Sequence, residues 1–560
     1  TLGASNVAVG NFALNENVRT NANVAIGQQA LQSNIGDGST NNQLTYNTAV
    51  GYFAGKEITS GVANTIMGGL AGDSLTTGSH NVAVGYFALS TEDAHGKNVA
   101  VGYETLAILN AGVDAYNVAV GYNAGVAMTT GTLNTILGGL AGDALTTGSR
   151  NVAIGYGALS TEDANGKNVA IGYYSLVNQN TGTNAYNVAV GYESGREMTT
   201  GVQNILIGGL AGDALTTGSN NIAIGYRALT SEDAHGRNVA IGQDALFAQN
   251  AGANAFNVAI GFETGKSVTT GVNNTLIGGL AGDALTVANY NVAVGYAALS
   301  TSVDGDNNTA VGYGALNAFE GGNDEGNNTA IGANSQVNAT TGEFNTSLGS
   351  LSMGLGVTTG DHNVGIGYQN LQALTSGTKN AIVGNLAGKS LTTGSDNAAL
   401  GYGALNSEDA HGKNVAIGYF ALVSQNAGAD AYNVAIGHSA GLSVTTGIKN
   451  ILIGGLAGDA LTTGSGNVAI GHEALSAEDA HGRNVAIGYL TLQSQNAGAD
   501  AYNVAVGYNA GQAVTTGTEN TLLGGLAGDA LTTGSYNVAI GFQALSSEDS
   551  GGKNVAIGRL

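Results

Sequence analysis

The sequence predicts an all-β chain, a parallel β-solenoid of about 17 residues per coil and 32 coils. Three observations carry that prediction. A five-residue unit with Asn first and Gly fifth occurs 32 times in 560 residues, from Asn6-Val7-Ala8-Val9-Gly10 to Asn554-Val555-Ala556-Ile557-Gly558. The step from one copy to the next is mostly 17, as from Asn6 to Asn23, too short for a strand–helix–strand unit and suited to one turn of a stacked repeat. Gly supplies 92 residues and Pro none, as expected where nearly every backbone N–H serves a ladder hydrogen bond.

Each position of the unit has a structural expectation. An Asn once per coil (Asn6, Asn23, Asn47, Asn81, Asn98) predicts a ladder in which each side-chain amide bonds the one above. A Gly once per coil (Gly10, Gly27, Gly51, Gly85, Gly102) predicts a bend that needs positive φ or close backbone approach. The fourth position is aliphatic and the second usually Val or Thr, a period-two pattern that puts both on one strand face. That face is expected to fill the coil's own core. The third position, usually Ala, lies on the other face. Where it is large, the residue after Gly is Gly instead of Tyr: Ile66 goes with Gly69 and Ile136 with Gly139, whereas Ala83 goes with Tyr86. Such compensation predicts a close-packed contact at the third position, expected to meet a second chain. At about 4.8 Å per coil the stack would form a rod on the order of 150 Å long.

The copies also follow a second period. Three steps of 17 and one of 19 make 70, and within that superrepeat the four coils differ. The first ends in a Thr-rich turn such as Met128-Thr129-Thr130-Gly131. The second carries Gly68-Gly69-Leu70-Ala71-Gly72-Asp73, the third a charged turn from Ser90 to Lys97, and the fourth a longer turn from Asn110 to Tyr116. The expected organisation is one continuous solenoid without linkers. Residues 1–46 hold the first coils and an extended loop around Ser33–Thr45, 47–327 four superrepeats, 328–396 irregular coils, and 397–560 regular superrepeats again. The chain begins and ends inside the repeat, which leads us to expect a slice of a longer protein.

Composition excludes several classes. Collagen would need Gly at every third position, and 43% apolar with 10% charged residues is the reverse of a disordered signature. With no Cys there are no disulfides, thiolate chemistry or Cys-based zinc sites. A net charge of −23 argues against a nucleic-acid partner. No apolar run approaches the length of a membrane-spanning helix, so no membrane insertion is expected.

Ser5-Asn6-Val7-Ala8-Val9-Gly10 and Gly148-Ser149-Arg150-Asn151-Val152-Ala153-Ile154-Gly155 resemble the repeat of YadA-type trimeric autotransporter adhesin heads. Asn308-Thr309-Ala310-Val311-Gly312-Tyr313-Gly314-Ala315-Leu316 is still more similar to the N-T-A-I-G-Y-x-A-L repeats of phage tail-fibre shafts. The resemblance covers essentially the whole chain. It implies a homotrimer of left-handed parallel β-rolls forming a fibre shaft or adhesin stalk.

Candidate sites are few. Gly68-Gly69-Leu70-Ala71-Gly72-Asp73 approximates a calcium-binding nonapeptide, but the Asp returns only once per superrepeat, so a local turn is expected. The charged turn carries Glu92, Asp93 and His95, and again Glu232, Asp233 and His235. Asn165 replaces the His in an equivalent copy, so the expected reading is a solvated turn with a local ion pair. Surface contact with a host glycan, or weak divalent-cation binding, is the alternative. The recurring Tyr (Tyr86, Tyr103, Tyr122) predicts a packing ladder rather than a sugar grip. The Thr-Thr-Gly turns lack the unbroken array that ice binding needs. No catalytic constellation, catalytic residue or cofactor site stands out, and no enzyme activity is expected.

The expected function is mechanical: a phage tail-fibre shaft in the virion, a rigid spacer carrying a receptor-binding tip. Its partners would be its own copies in a homotrimer, other fibre or baseplate segments, and a host surface glycan or protein. The alternatives are a cell-surface adhesin and a self-assembling extracellular filament.

Overall fold

Each repeat unit becomes one short strand. A computed structural model describes residues 5–38, 42–322 and 325–560 of the chain. Among them there is no helix, and 32 three-residue strands occupy positions two to four of the repeat unit. The chain is a parallel β-solenoid. Two units are resolved, Thr1–Leu276 and Ile277–Leu560. In the first, Val7 pairs with Val24, Val24 with Thr48, and Ile205 with Ile222; in the second, Val292 pairs with Thr309 and Val538 with Val555. Each of these pairings matches a position with the same position one coil on, so the sequence period and the backbone register are one quantity.

The wall facing the strand is irregular in dihedrals but equally well bonded. Its residues at positions seven and nine take left-handed conformations, as at Phe87 (φ 57°) and Leu89 (φ 51°). Their amides still reach neighbouring coils, Leu89 N–H donating to Thr105 O at 3.0 Å and Phe87 N–H to Gly69 O at 3.1 Å. Left-handed non-Gly residues each cost on the order of 1 kcal/mol, offset here because the stack satisfies these amides.

The core is inverted relative to expectation. Ala83, Ala100 and Ala153, at position three, are fully buried, while positions two and four are half-buried or exposed. The physical reason is room. Where the facing wall sends a Leu such as Leu89, Leu106 or Leu159 from position nine into the thin coil, Ala stands opposite it at position three. Position three therefore does not meet another chain, and Val7 and Val9 are not core residues. Large residues at position three are compensated by glycines at position nine of their own coil and of the coil before, Gly55 and Gly125 among the latter. Ile66 sits over Gly72, whose missing Cβ would lie 3.2 Å from Ile66 Cδ1, and Ile136 sits 3.4 Å from the corresponding point at Gly142. The accompanying Gly69 and Gly139 lie on the outer side, next to the rings of Tyr86 and Tyr156.

A double substitution tests this. Ile136→Ala alone leaves a cavity and is expected to cost about 2–4 kcal/mol. Gly142→Leu alone overpacks against Ile136 and Leu145, at about 1–3 kcal/mol. Together they recreate the Ala100, Leu106, Leu109 set of the fourth coil, and hydrogen exchange in this coil should return to within about 1 kcal/mol of native.

Of the loop expected at Ser33–Thr45, residues 39–41 lie outside the described residues. Flanking it, Thr20–Asn21 pairs in parallel with Gln43–Leu44, and Thr45 Oγ1 donates to Asn23 Oδ1 at 2.8 Å. The loop thus returns the chain to the ladder at Asn47.

Candidate functional site

The repeat positions sort into three surfaces: a polar spine, an outward apolar face, and a charged outer turn. The spine differs in detail from a chain of amide-to-amide bonds. Each Asn Oδ1 accepts the backbone N–H of the next Asn: Asn23 N–H to Asn6 at 2.8 Å, Asn47 to Asn23 at 2.9 Å, Asn98 to Asn81 at 3.0 Å. Its Nδ2 donates to the outer turn of its own coil, Asn47 to Gly61 O at 2.7 Å and Asn81 to His95 O at 3.3 Å. The Asn thus ties strand to turn as well as coil to coil. In the fourth coil the turn is longer, by the difference between steps of 19 and 17, and its carbonyl is displaced. The buried Nδ2 of Asn98, Asn168, Asn238, Asn414 and Asn484 then has no partner among the described residues. Gly10, Gly27, Gly51, Gly85 and Gly102 have φ between 132° and 142°, and a Cβ on any of them would lie 2.1–2.4 Å from the carbonyl oxygen of the next Gly in the column. Both expected reasons for Gly hold together at this position.

The outward face carries positions two, four and six. Tyr86, Tyr103 and Tyr122 stack with centroids 5.6 and 5.4 Å apart, and Tyr156, Tyr173 and Tyr192 at 5.8 and 5.5 Å. The rings stack as a ladder yet remain exposed, Tyr122 by 57%. The column is interrupted wherever position six is Gly, as at Gly139. Beside the rings, Ile205 (37%), Ile207 (38%) and Met67 (45%) leave aliphatic surface in water. Apolar faces repeated at this scale mark interaction surfaces.

The charged turn is solvated as expected except at its glutamate. Glu92 and Glu232 occupy position twelve, the interior slot filled by Leu75 and Met128 in other coils, and both are fully buried. They are not surface contacts. Glu92 Oε1 accepts the His95 N–H at 3.3 Å and lies 3.8 Å from His95 Nδ1; Glu232 and His235 repeat this at 3.1 and 3.8 Å. Asp93 flanks the pair, and its backbone carbonyl accepts Thr76 N–H at 2.6 Å. The ion pair expected within this turn instead links two coils. Lys97 Nζ lies 2.7 Å from Asp114 Oδ2 in the following turn and 4.9 Å from the Tyr116 ring centroid. Lys413, Asp430 and Tyr432 repeat the arrangement. These contacts are exposed and individually weak.

Sequence reasoning missed a second polar interior residue. Gln179, Gln249, Gln425 and Gln495 are fully buried at position twelve of the fourth coil. Gln425 Oε1 accepts Asn433 Nδ2 at 2.6 Å, and its Nε2 donates to Thr445 O at 3.1 Å. Aligning the coils on Asn would have found both, because Leu, Met, Glu and Gln then share one column.

Burial makes these glutamates poor acids. Desolvation raises the carboxyls of Glu92 and Glu232 and pushes those of Glu162, Glu408 and Glu478 up to about 7, with backbone N–H groups partly opposing it. A folded-state value above the unfolded one means the folded chain holds the proton more tightly. For Glu162, Glu408 and Glu478 the associated stability is full below about pH 4.5 and is lost as pH rises to about 7, at about 1.4 kcal/mol per pH unit for each; for Glu92 and Glu232 the direction is the same. Hydrogen exchange in the coil holding Glu162 should therefore slow from pH 7 to pH 5, after correction for intrinsic rates. Glu162→Gln should remove that dependence.

The Asp at position ten of the Gly-Gly coil, Asp73 or Asp143, is held above its usual range by burial. It belongs to none of the groups of three ligating side chains found among the described residues; those are four charged turns. Among the described residues no helix is long and apolar enough to cross a membrane. Comparison of the sequence with protein-family models and with curated proteins finds no match.

Proposed function

We propose that this chain is a fibre shaft, a homotrimer of solenoids that acts as a stiff spacer in a phage tail fibre and carries a receptor-binding tip to the host. The observation that carries this reading is the outward face of Val, Ile and stacked Tyr, presented at the same register by coil after coil. Covering one such side chain is worth about 1.5–3 kcal/mol, so a face of this periodicity favours association along its length. A second copy of the same chain matches that period at every coil. Three copies, rather than two, follow from the resemblance to tail-fibre repeats.

The mechanical role follows from the bonding. Within each unit, backbone ladders and the Asn spine join coil to coil and resist bending and extension. The charge of −23 per chain keeps neighbouring shafts apart in solution.

Immunogold electron microscopy with an antibody to this segment, on the particles or cells that produce the protein, tests the assignment. Label along tail fibres between base and tip is expected. Label confined to the bacterial surface would replace the shaft with an adhesin.

A further inference from the structure

Four of the charged turns have the donor set of a metal site. Glu92, Asp93 and His95 offer ligand atoms within 4.8 Å of one another, as do Glu232, Asp233 and His235, Glu408, Asp409 and His411, and Glu478, Asp479 and His481. Acidic clusters are common on protein surfaces, but here the glutamate is fully buried in an interior slot. Its Oε2 has no hydrogen-bond partner among the described residues, and neither has the buried His Nδ1 beside it, in all four turns. Each turn thus holds one buried carboxylate oxygen and one buried imidazole nitrogen without a hydrogen-bond partner, where an unmet polar atom costs about 1–3 kcal/mol and a bare charge more.

The fifth internal turn shows what the chain does when the His is absent. There Asn165 replaces it, and Thr181 stands where the other copies have Ala111, Ala251, Ala427 or Ala497. Glu162 Oε2 accepts the Thr181 N–H at 3.5 Å, Asn165 N–H reaches Glu162 Oε1 at 3.2 Å, and the Asn165 amide donates to the Thr181 carbonyl. This turn closes on itself. In the His copies the Ala111 amide eases the carboxylate charge without closing a hydrogen bond to Oε2. With His in place of Asn, Oε2 lacks even the long hydrogen bond that Glu162 makes.

We propose that these four turns each bind one divalent transition-metal ion of the zinc type through Glu, Asp and His Nδ1. The donor set selects the ion class. An imidazole nitrogen disfavours Ca²⁺ and Mg²⁺, which take oxygen ligands, whereas one nitrogen with two carboxylates suits Zn²⁺ or Co²⁺ with water completing the shell. Two carboxylates and a divalent cation sum to zero charge, which removes the cost of an ionised glutamate in the coil interior. The ion would clip the outer turn to the core and stabilise the folded coil by mass action. Nothing in this inference depends on the fibre reading.

Titration of the tag-free, chelator-washed chain with Co²⁺, followed by visible d–d absorption and by metal analysis after dialysis, tests it. Four ions per chain are expected. The variant with His95→Asn, His235→Asn, His411→Asn and His481→Asn should bind none yet keep its far-ultraviolet circular dichroism, because Asn is already tolerated at position 165. Changing the remaining histidines, His80, His362, His438 and His472, to Asn should leave four. Asn165→His with Thr181→Ala should raise the count to five. No binding by the native chain at micromolar Co²⁺, or equal binding by the first variant, would overturn the proposal and leave a hydrogen-bonded Glu–His pair in its place.

Discussion

Gly225→Ala is expected to open the solenoid at its own coil. Gly225 has φ +136°, a region that L-residues rarely enter, at a cost of about 1–3 kcal/mol. An added Cβ would stand 2.4 Å from the Gly242 carbonyl oxygen and 2.5 Å from its carbon, both backbone atoms of the next coil. Backbone on that side is fixed by the same column of glycines, so relief requires breaking ladder bonds such as Gly242 N–H to Ile224 O (2.7 Å). The total loss should exceed about 4 kcal/mol, among the largest single-residue effects known. Because each coil contacts only its neighbours, the damage should stay local. Limited proteolysis should cut near residue 225 and release two protected fragments. Gly252→Ala is the control: nothing lies within 4 Å of its added Cβ, and cleavage should not change.

The second large effect concerns the outward face. Ile205→Asp with Ile207→Asp places two carboxylates on side chains that are 37% and 38% exposed in the single chain. For a lone solenoid this is a change at a half-exposed strand, worth about 1 kcal/mol in β propensity. In the proposed trimer, three copies would gather six like charges at one level inside an apolar contact. That costs at least about 3 kcal/mol, a hundredfold rise in hydrogen exchange of the coil at 205–207. The interface elsewhere would hold the assembly together, so the measurement is local exchange by mass spectrometry. Ile205→Thr should be silent, since Thr65 and Thr135 already occupy position two.

The architecture was legible because Asn, aliphatic and Gly positions recur at one spacing, and that spacing is the backbone register. Orientation was not. A period of two separates the faces of a strand but does not say which is inward, and assigning the larger Val and Ile to the core is the natural choice. Leu89 decides otherwise by entering from the facing wall and leaving space only for Ala83. The correlation between Ile66 and Gly69 was real in the sequence, but the compensating glycines are Gly72, further along the same coil, and Gly55 in the coil before. Glu92 was misread for a similar reason. A charged residue among Ser, Thr and Asp suggests a solvated loop, and only its alignment with Leu75 and Met128 shows an interior slot. The inverted faces move the exposed apolar surface to Val, Ile and Tyr, and leave Ala buried.

The central claim is that this face is covered by two further copies of the chain. Sedimentation equilibrium of the tag-free segment at micromolar concentration measures it directly. One species at about three times the chain mass of 55.3 kDa is predicted, whereas a monomer of 55.3 kDa would contradict the account.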